Sequence, residues 1–278
     1  MRAGLVVHPA RPRALEVGAE IVTACRERGI ATRSLDEVDV GADERAAGSL
    51  ADGADLVVSV GGDGTLLRAA LLASEAAAPV LGVNVGRLGF LSDIEPPEVP
   101  AMLDAFVAGD LVVEERLTVE AEAEGAPWSD RQWALNEIMV EKRARQRVIS
   151  LAVYVGGEYV TTISGDGVIV ATPTGSTAYS FAARGPIVHP RVECLILTPV
   201  SPHMVFDRPL VLAPDEQVQI EVRGDEPGLL APDGRGALEL PLGARVRIRR
   251  SDRPARLLRR LGAESFFARL ARKFSLPS

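Results

Sequence analysis

Hydrophobic and polar positions in the first hundred residues alternate between two kinds of segment. Short apolar runs with many branched side chains predict buried strands at 4–7, 56–60 and 80–85. Longer segments with apolar residues at helical spacing predict helices at 13–28, 65–73 and 99–107. In the first helix the side chains expected to face the core are Leu15, Val17, Ile21 and Val22. Alternation of strands and helices predicts a parallel, Rossmann-like α/β sheet covered by helices.

After about Gly109 the pattern changes to alternation with a period of two, which predicts a β-rich, sandwich-like domain. A last helix is predicted at 265–273, where Phe266, Phe267 and Leu270 are expected to pack into a core. The predicted organisation is therefore an α/β domain at 1–109, a β-rich domain at 110–250 and a C-terminal helical segment at 251–278, which can return to the first domain.

Composition narrows the class of protein. With 278 residues, 47% of them hydrophobic and 25% charged, the chain suits two globular domains. A net charge of -7 argues against a nucleic-acid partner. No apolar segment has the length of a membrane span or a secretion signal, so we expect a cytoplasmic protein with no membrane partner. Cys25 and Cys194 are far apart in apolar surroundings and are expected to be buried thiols.

Charge is distributed unevenly, because residues 241–278 carry eleven basic side chains and two acidic ones. A solvated strand and helix face, or a subunit contact, explains this basic tail better than a phosphate-binding surface does.

The first motif with recognisable chemistry is Gly61-Gly62-Asp63-Gly64-Thr65, where an apolar run ends. Glycines let a phosphate approach the backbone, and the helix that opens at Thr65 directs its N–H groups at an anion. A carboxylate repels a phosphate unless it binds a metal ion or takes up a proton. Phosphoryl transfer requires both of these functions. The alternative is a plain strand-to-helix turn with Asp63 as the N-cap.

The second motif, Gly165 to Ser180, is again a strand that runs into a loop, here one of small hydroxyl residues. Such a loop offers several hydrogen-bond donors and acceptors with little bulk, which suits a ribose or a base edge. A helix is expected from Thr177 through Ala183. The alternative is a well-capped helix start with Ser176 or Thr177 as the N-cap.

Together the two motifs resemble the NAD kinase family, and the resemblance covers nearly the whole chain. Beyond the first motif, the matching segments are 86–91, 136–137, 166, 172–179, 185–190, 202–203, 208–210, 233–234 and 267–273. The first motif alone is shared with diacylglycerol and sphingosine kinases, and phosphofructokinases carry a related turn. The feature that is specific to the NAD kinase family is the loop from Thr172 to Tyr179, which follows the Asp63 motif along the chain.

The resemblance implies transfer of a terminal phosphoryl group to the 2′-hydroxyl of the adenosine ribose of NAD, which gives NADP. The implied donor is ATP or inorganic polyphosphate. Asp63 looks like the base that takes or orients the hydroxyl proton, Gly62 and Gly64 look like the phosphate loop, and Phe90 looks like a wall of the dinucleotide pocket.

In the β-rich half, Asn136 and Glu137 resemble the family pair that contacts adenine and the ribose hydroxyls. Asp166 and Ala178 resemble the contacts to the nicotinamide amide. Residues that resemble the lining of the same pocket are Thr174, Thr177 and Tyr179. Ser201 falls where the family reaches across a subunit contact, which implies a homodimer or homotetramer.

Three positions stay undecided. After Tyr179 the family commonly has a second serine and a first glycine where this chain has Ala182 and Arg184. Arg184 either meets a phosphate of NAD or ATP or pairs on the surface, so the preference for NAD or NADH and for the donor is open. Arg68, in the predicted helix after Asp63, is a further candidate contact.

No cluster of carboxylates forms a dedicated metal site in the sequence, so Mg²⁺ is expected to arrive with the nucleotide. Two other functions stay open. A lipid kinase of the diacylglycerol or sphingosine type shares the first motif but needs an apolar acyl pocket. A catalytically silent module that senses the dinucleotide is expected to have a damaged Asp63 turn, and this turn is intact.

Overall fold

The computed structural model describes residues 1–34, 52–86, 89–92, 94–203, 207–260 and 262–275. It divides into two compact units, Met1–Glu115 with Arg253–Ser278, and Arg116–Asp252. The sequence placed these transitions after Gly109 and after Arg250. The first differs because strand β5 (Val112–Arg116) pairs in the sheet of the first unit, although its pattern resembles that of the second.

The first unit is built on one six-stranded sheet. Its other strands are β1 (Arg2–Val7), β2 (Ala31–Ser34), β3 (Leu56–Gly61), β4 (Val80–Asn84) and β18 (Ala255–Arg259). The order is β2-β1-β3-β4-β18-β5, and the pairs from β2 to β18 are parallel. The predicted parallel α/β domain is confirmed.

Among its described residues, this unit has four helices: α1 (Pro12–Glu27), α2 (Asp63–Glu75), α3 (Val99–Ala108) and α5 (Phe266–Phe274). A short 3₁₀ helix precedes α3 at Pro96–Glu98. Val17 and Ile21 of α1 are buried as expected, but Leu15 is exposed. The buried face of α1 instead includes Ala14, one position earlier, because successive helical residues point about 100° apart.

The segment 251–278 returns to the first unit, as predicted, but it is not helical throughout. It begins with β18, which lies between β4 and β5 in the sheet. Its helix α5 was expected to pack through its phenylalanines, yet Phe267 is 65% exposed. The buried residue of α5 is Arg269.

The second unit contains two antiparallel sheets of six strands, with orders β10-β9-β14-β17-β6-β7 and β13-β12-β11-β8-β15-β16. The first sheet is formed by β6 (Val119–Glu124), β7 (Gln132–Ala134), β9 (Ile149–Val155), β10 (Glu158–Gly165), β14 (Val218–Arg223) and β17 (Arg245–Arg250). The second is formed by β8 (Glu137–Lys142), β11 (Gly167–Ala171), β12 (Leu195–Val200), β13 (Leu210–Leu212), β15 (Gly228–Pro232) and β16 (Leu238–Leu240).

Both sheets of this unit contribute to one aliphatic core, exemplified by Val119 and Ile220 from one sheet and Ile138 and Leu195 from the other. This arrangement confirms the predicted β-rich, sandwich-like domain. The helix expected from Thr177 is shorter than predicted. It is a 3₁₀ turn at Gly175–Thr177 followed by one helical turn, α4 (Tyr179–Ala182).

Both cysteines are buried, as expected. Among the helices that the structure describes, none combines the length and apolar character needed to cross a bilayer.

Candidate active site

The first predicted site lies where β3 ends and α2 begins. Gly62 is the N-cap of α2, and Asp63 is its first residue. The helix therefore begins two positions before the predicted Thr65, and the alternative that Asp63 is the N-cap is wrong. Gly61 is required by close packing, because a β-carbon there would overlap the side chain of Thr65.

The carboxylate of Asp63 accepts hydrogen bonds from three consecutive backbone amides of a distant loop. The N–H of Phe90 lies 2.8 Å from Oδ2, and those of Leu91 and Ser92 lie 3.2 and 3.3 Å from Oδ1. Gly89 makes this approach possible, because a β-carbon at that position would overlap the carboxylate. The two glycine turns of the first unit therefore meet at Asp63.

The side chain of Phe90 connects this loop with the C-terminal helix. Its ring centroid lies 6.0 Å from that of Phe274, and Nζ of Lys273 lies 5.8 Å from the Phe90 centroid. Gly64 is exposed with open space beside it, as the approach of a phosphate requires. Arg68 lies half-buried on α2.

The second predicted site, in the other unit, starts with the pair before and at the beginning of β8. Asn136 and Glu137 are both buried. Asp233 holds this stretch, since its carboxylate accepts the backbone N–H groups of Leu135, Asn136 and Glu137 at 2.9, 2.7 and 3.1 Å. In the sequence, Asp233 is marked only by the family resemblance. The following Gly234 indicates a turn in the sequence, and in the structure Asp233 has a left-handed backbone with φ of 48°, but neither feature identifies the distant partner.

Burial is the main cause of the pKa shifts of Glu137 and Asp233. The Glu137 side chain is nine-tenths buried, and its Oε2 has no hydrogen-bond partner among the described residues. Burial, and then the neighbouring Asp233 charge, raise the pKa of Glu137 to about 8. Burial also raises the pKa of Asp233, against the opposing effects of Arg235 and the three amides. Glu137 is therefore largely protonated at neutral pH and can donate as well as accept a hydrogen bond.

The small-hydroxyl loop packs directly on this pair. Thr172 Oγ1 donates to the carbonyl of Leu135 at 2.6 Å, and the Thr172 amide donates to the carbonyl of Asn136 at 2.8 Å. A β-carbon at Gly175 would overlap the Asn136 carbonyl, so this loop requires glycine there. Thr174 is buried and accepts from Nη1 of Arg116 at 3.3 Å, a partner that the sequence analysis missed.

Tyr179 lies near three carboxylates, and one of them is the predicted site residue Asp166. Tyr179 is 44% exposed, and the pKa of its phenol is raised by burial and then by the charges of Glu141, Asp166 and Glu137. Asp166 forms an ion pair with Lys142 and a hydrogen bond with Ser201, and these contacts lower the pKa of Asp166.

The remaining predicted positions lie around these groups. Thr177 and Ala178 are half-buried at the 3₁₀ turn, and Thr177 Oγ1 donates to the Thr174 carbonyl at 3.4 Å. Ser201 is exposed, with a left-handed φ of 46°. Ala182 and Arg184 are exposed, and Arg184 also has a left-handed backbone, with φ of 67°.

Within the described ranges, no group of three or more His, Cys, Asp or Glu side chains is arranged to hold a metal ion.

A parallel sheet that ends in a glycine-flanked aspartate, joined in sequence to an antiparallel unit with a small-hydroxyl loop, has the features of a two-domain kinase of small molecules. Family models agree with that class: the ATP-NAD kinase N-terminal domain matches residues 16–111, and the ATP-NAD kinase C-terminal domain matches residues 135–260. The chain belongs to the NAD kinase family.

Individual relatives extend over nearly the full chain. NAD kinase 2 of Streptomyces avermitilis is 40% identical over 285 residues, which cover 98% of this chain and 94% of that protein. The crystal structure of an NAD kinase from Archaeoglobus fulgidus in complex with ATP is 28% identical, with a TM-score of 0.78 and full coverage of both chains. Yeast NADH kinase complexed with NADH has the same fold, with a TM-score of 0.87 at 22% identity, and the match covers all of this chain and 88% of that one.

Proposed function

We propose that this chain phosphorylates the 2′-hydroxyl of the adenosine ribose of NAD, with Asp63 as the residue that orients this hydroxyl and takes its proton. The observation that carries the proposal is the fixed Asp63 carboxylate at the carboxyl end of β3 and the first turn of α2. Ligands of open α/β sheets bind at the carboxyl ends of the strands. Three loop amides set the direction of the carboxylate before substrate binds.

In the proposed step, the 2′-oxygen forms a bond to the terminal phosphorus of the donor, and the bond from that phosphorus to its bridging oxygen breaks. The hydroxyl proton passes to Asp63 and then to solvent, and the shortened phosphate leaves. An aspartate is a weak base, so positioning of the nucleophile supplies most of its effect.

The second unit is assigned recognition of the dinucleotide. Asn136 and the protonated Glu137 supply donors and acceptors for adenine and the ribose hydroxyls, and Asp233 fixes both through their backbone. Asp166 and Ala178 are assigned to the nicotinamide amide. Thr174, Thr177 and Tyr179 line the same pocket. Ionised Asp166 suits an amide donor, since its Lys142 partner favours the charged form.

The proposed donor is ATP, with inorganic polyphosphate as the alternative donor in the test. Because the described side chains form no group suited to a resident metal, we treat Mg²⁺ as part of the substrate MgATP, where it neutralises phosphate charge. Gly62 and Gly64 are assigned to the phosphates.

A direct assay tests this function. Purified protein is incubated with MgATP and NAD, and the product is coupled to an NADP-specific dehydrogenase. The proposal expects NADP to form, and parallel reactions with NADH and with polyphosphate define the acceptor and the donor. Phosphorylation of only a diacylglycerol or sphingoid acceptor would establish the lipid kinase instead. Binding of NAD with no product would establish the silent sensor.

We also propose a homodimer or homotetramer in the cytoplasm, with Ser201 at a subunit contact. An edge strand, β13, exposes Val211 at its centre, as expected of a surface that another chain covers. Two free thiols agree with a reducing compartment. Analytical ultracentrifugation that shows only monomer at assay concentration would contradict the assembly.

A further inference from the structure

The loop that holds Asp63 is itself held from its other side. The amides of Phe90, Leu91 and Ser92 donate to the Asp63 carboxylate, while two carbonyls of the same loop accept hydrogen bonds from arginines of the basic tail. Arg259 ends β18, and Arg269 lies on α5. These contacts all lie within the first unit.

Arg269 reaches the carbonyl of Phe90. Its Nη1 donates to that oxygen at 2.8 Å, and the side chain of Glu264 lies 4.0 Å from its Nε. Arg269 is only 6% exposed. Burying a guanidinium is costly unless it is hydrogen-bonded and paired, so this geometry is specific rather than incidental.

Arg259 makes the equivalent contact one residue further along. Its Nη1 donates to the carbonyl of Leu91 at 3.0 Å, and its Nε donates to Glu114 at the same distance. Arg259 is 7% exposed. Two neighbouring peptide units are thus hydrogen-bonded on both sides. Their N–H groups donate to a carboxylate, and their carbonyls accept from guanidinium groups.

Two other arginines of the basic tail are exposed. Arg272 and Arg260 have side chains 56% and 51% exposed and pair with Glu264 and Glu98. The expectation of a solvated basic face therefore fits these residues, but it fails for Arg259 and Arg269, which are buried against the loop.

We propose that Arg259 and Arg269 are positioning residues for phosphoryl transfer, because they fix the loop whose amides aim the Asp63 carboxylate. The role assigned to them is indirect, because they hold the carbonyls of Leu91 and Phe90. The inference rests on the proposed role of Asp63, but the hydrogen bonds that it concerns can be measured without activity.

The test compares Arg269→Met, Arg269→Lys and Arg259→Lys with Arg272→Met, a matched control on the exposed side of the same helix. Site-resolved hydrogen exchange is measured at the amides of Phe90, Leu91 and Ser92. For Arg269→Met we expect hydrogen exchange about tenfold faster at these amides, because the variant loses one hydrogen bond to a charged group. Exchange at the core amides of β3 is expected to be unchanged. Lysine retains one charged donor and is expected to give a smaller increase.

Steady-state kinetics give the second measurement. Arg269→Met is expected to lower kcat about tenfold with KM for NAD within about twofold of wild type, since the loss of an interaction that acts only in the transition state lowers kcat and kcat/KM together. If Arg269→Met does not fold, the two lysine variants carry the same comparison.

Wild-type exchange at the three amides in folded variants would overturn the proposal, and so would an equal effect of Arg272→Met. A wild-type protein that makes no NADP would instead overturn the proposed function, while the exchange measurement would still report on the two arginines.

Discussion

At the scale of the residue, the same hydrogen-bonding arrangement occurs twice: an aspartate carboxylate accepts three consecutive backbone amides. Asp63 accepts three consecutive amides from the loop at Phe90–Ser92, and Asp233 accepts three consecutive amides from Leu135–Glu137. Both aspartates connect stretches that are far apart in sequence. Each therefore fixes the backbone around a candidate site, and only Asp63 is also assigned to the chemistry.

Glu137 gives a prediction for the pH dependence of stability. Its pKa is about 8 when folded and 4.5 in a model peptide, so the unfolded chain loses this proton first as pH rises. The folded state then binds more protons than the unfolded state between these values, and its stability falls with rising pH across that window. Below pH 4.5 and above pH 8 this residue contributes no slope.

Glu137→Gln removes the titrating proton and so removes that slope. The free energy of unfolding of the ligand-free protein is measured with urea at pH 5.5 and 8.5. Relative to wild type, the variant is expected to be more stable at pH 8.5 than at pH 5.5 by a few kcal/mol, at about 1.36 kcal/mol per pKa unit. Glu158→Gln, at an exposed position, is the control. A difference between Glu137→Gln and wild type that stays constant with pH would contradict the prediction.

At the scale of the element, the turn after α4 shows what a departure from the family pattern does. Arg184 occupies a left-handed backbone conformation that glycine adopts without strain, and the family commonly has glycine there. The next residue, Gly185, packs closely on Ser180, because a β-carbon at Gly185 would overlap that residue.

We therefore expect Arg184→Gly to stabilise the protein by roughly 0.5–1 kcal/mol, the relief of strain less the added freedom of the unfolded chain. Thermal unfolding measures the change. Arg184→Ala separates backbone from charge, because it removes the guanidinium but keeps the strain. Equal melting temperatures for the two variants would rule out the backbone explanation.

The sequence predicted most elements of the site because their signals are local. The apolar run before Gly61 and the glycines around Asp63 define a strand, a turn and a helix within a few residues. Contacts between distant segments left no such signal. Neither the grip of Asp233 on Leu135–Glu137 nor the burial of Arg269 follows from nearby residues, because an arginine at helical spacing ordinarily indicates a solvated face.

At the scale of the whole molecule, the chain enters the first unit twice. The second unit is an insertion at 116–252, and the last segment then supplies β18 to the interior of the first sheet. Leu257 and Leu258 of that strand are both buried. The first unit is therefore incomplete until the C-terminal segment is present.

Deleting residues 253–278 is expected to unfold the first unit. The loss of two buried leucines alone removes roughly 3–6 kcal/mol, comparable to the stability of an ordinary domain. Limited proteolysis is expected to cleave within residues 1–115 of the truncated chain but not of a chain that ends at residue 275, which retains β18 and α5. Equal protection of the two chains would contradict this dependence.

The proposed function depends most on Asp63, which is assigned to act in phosphoryl transfer to NAD. Asp63→Asn keeps the size of the side chain and one of its two acceptor oxygens, but it removes the charge and the ability to take a proton. The decisive measurement is kcat for NADP formation, together with the affinity for NAD from calorimetry, with Asp104→Asn at an exposed ion pair as the control. We predict a loss in kcat of at least about 100-fold with NAD affinity retained, as for other groups that transfer a proton in the reaction. A folded Asp63→Asn protein with a kcat close to that of wild type would contradict the claim.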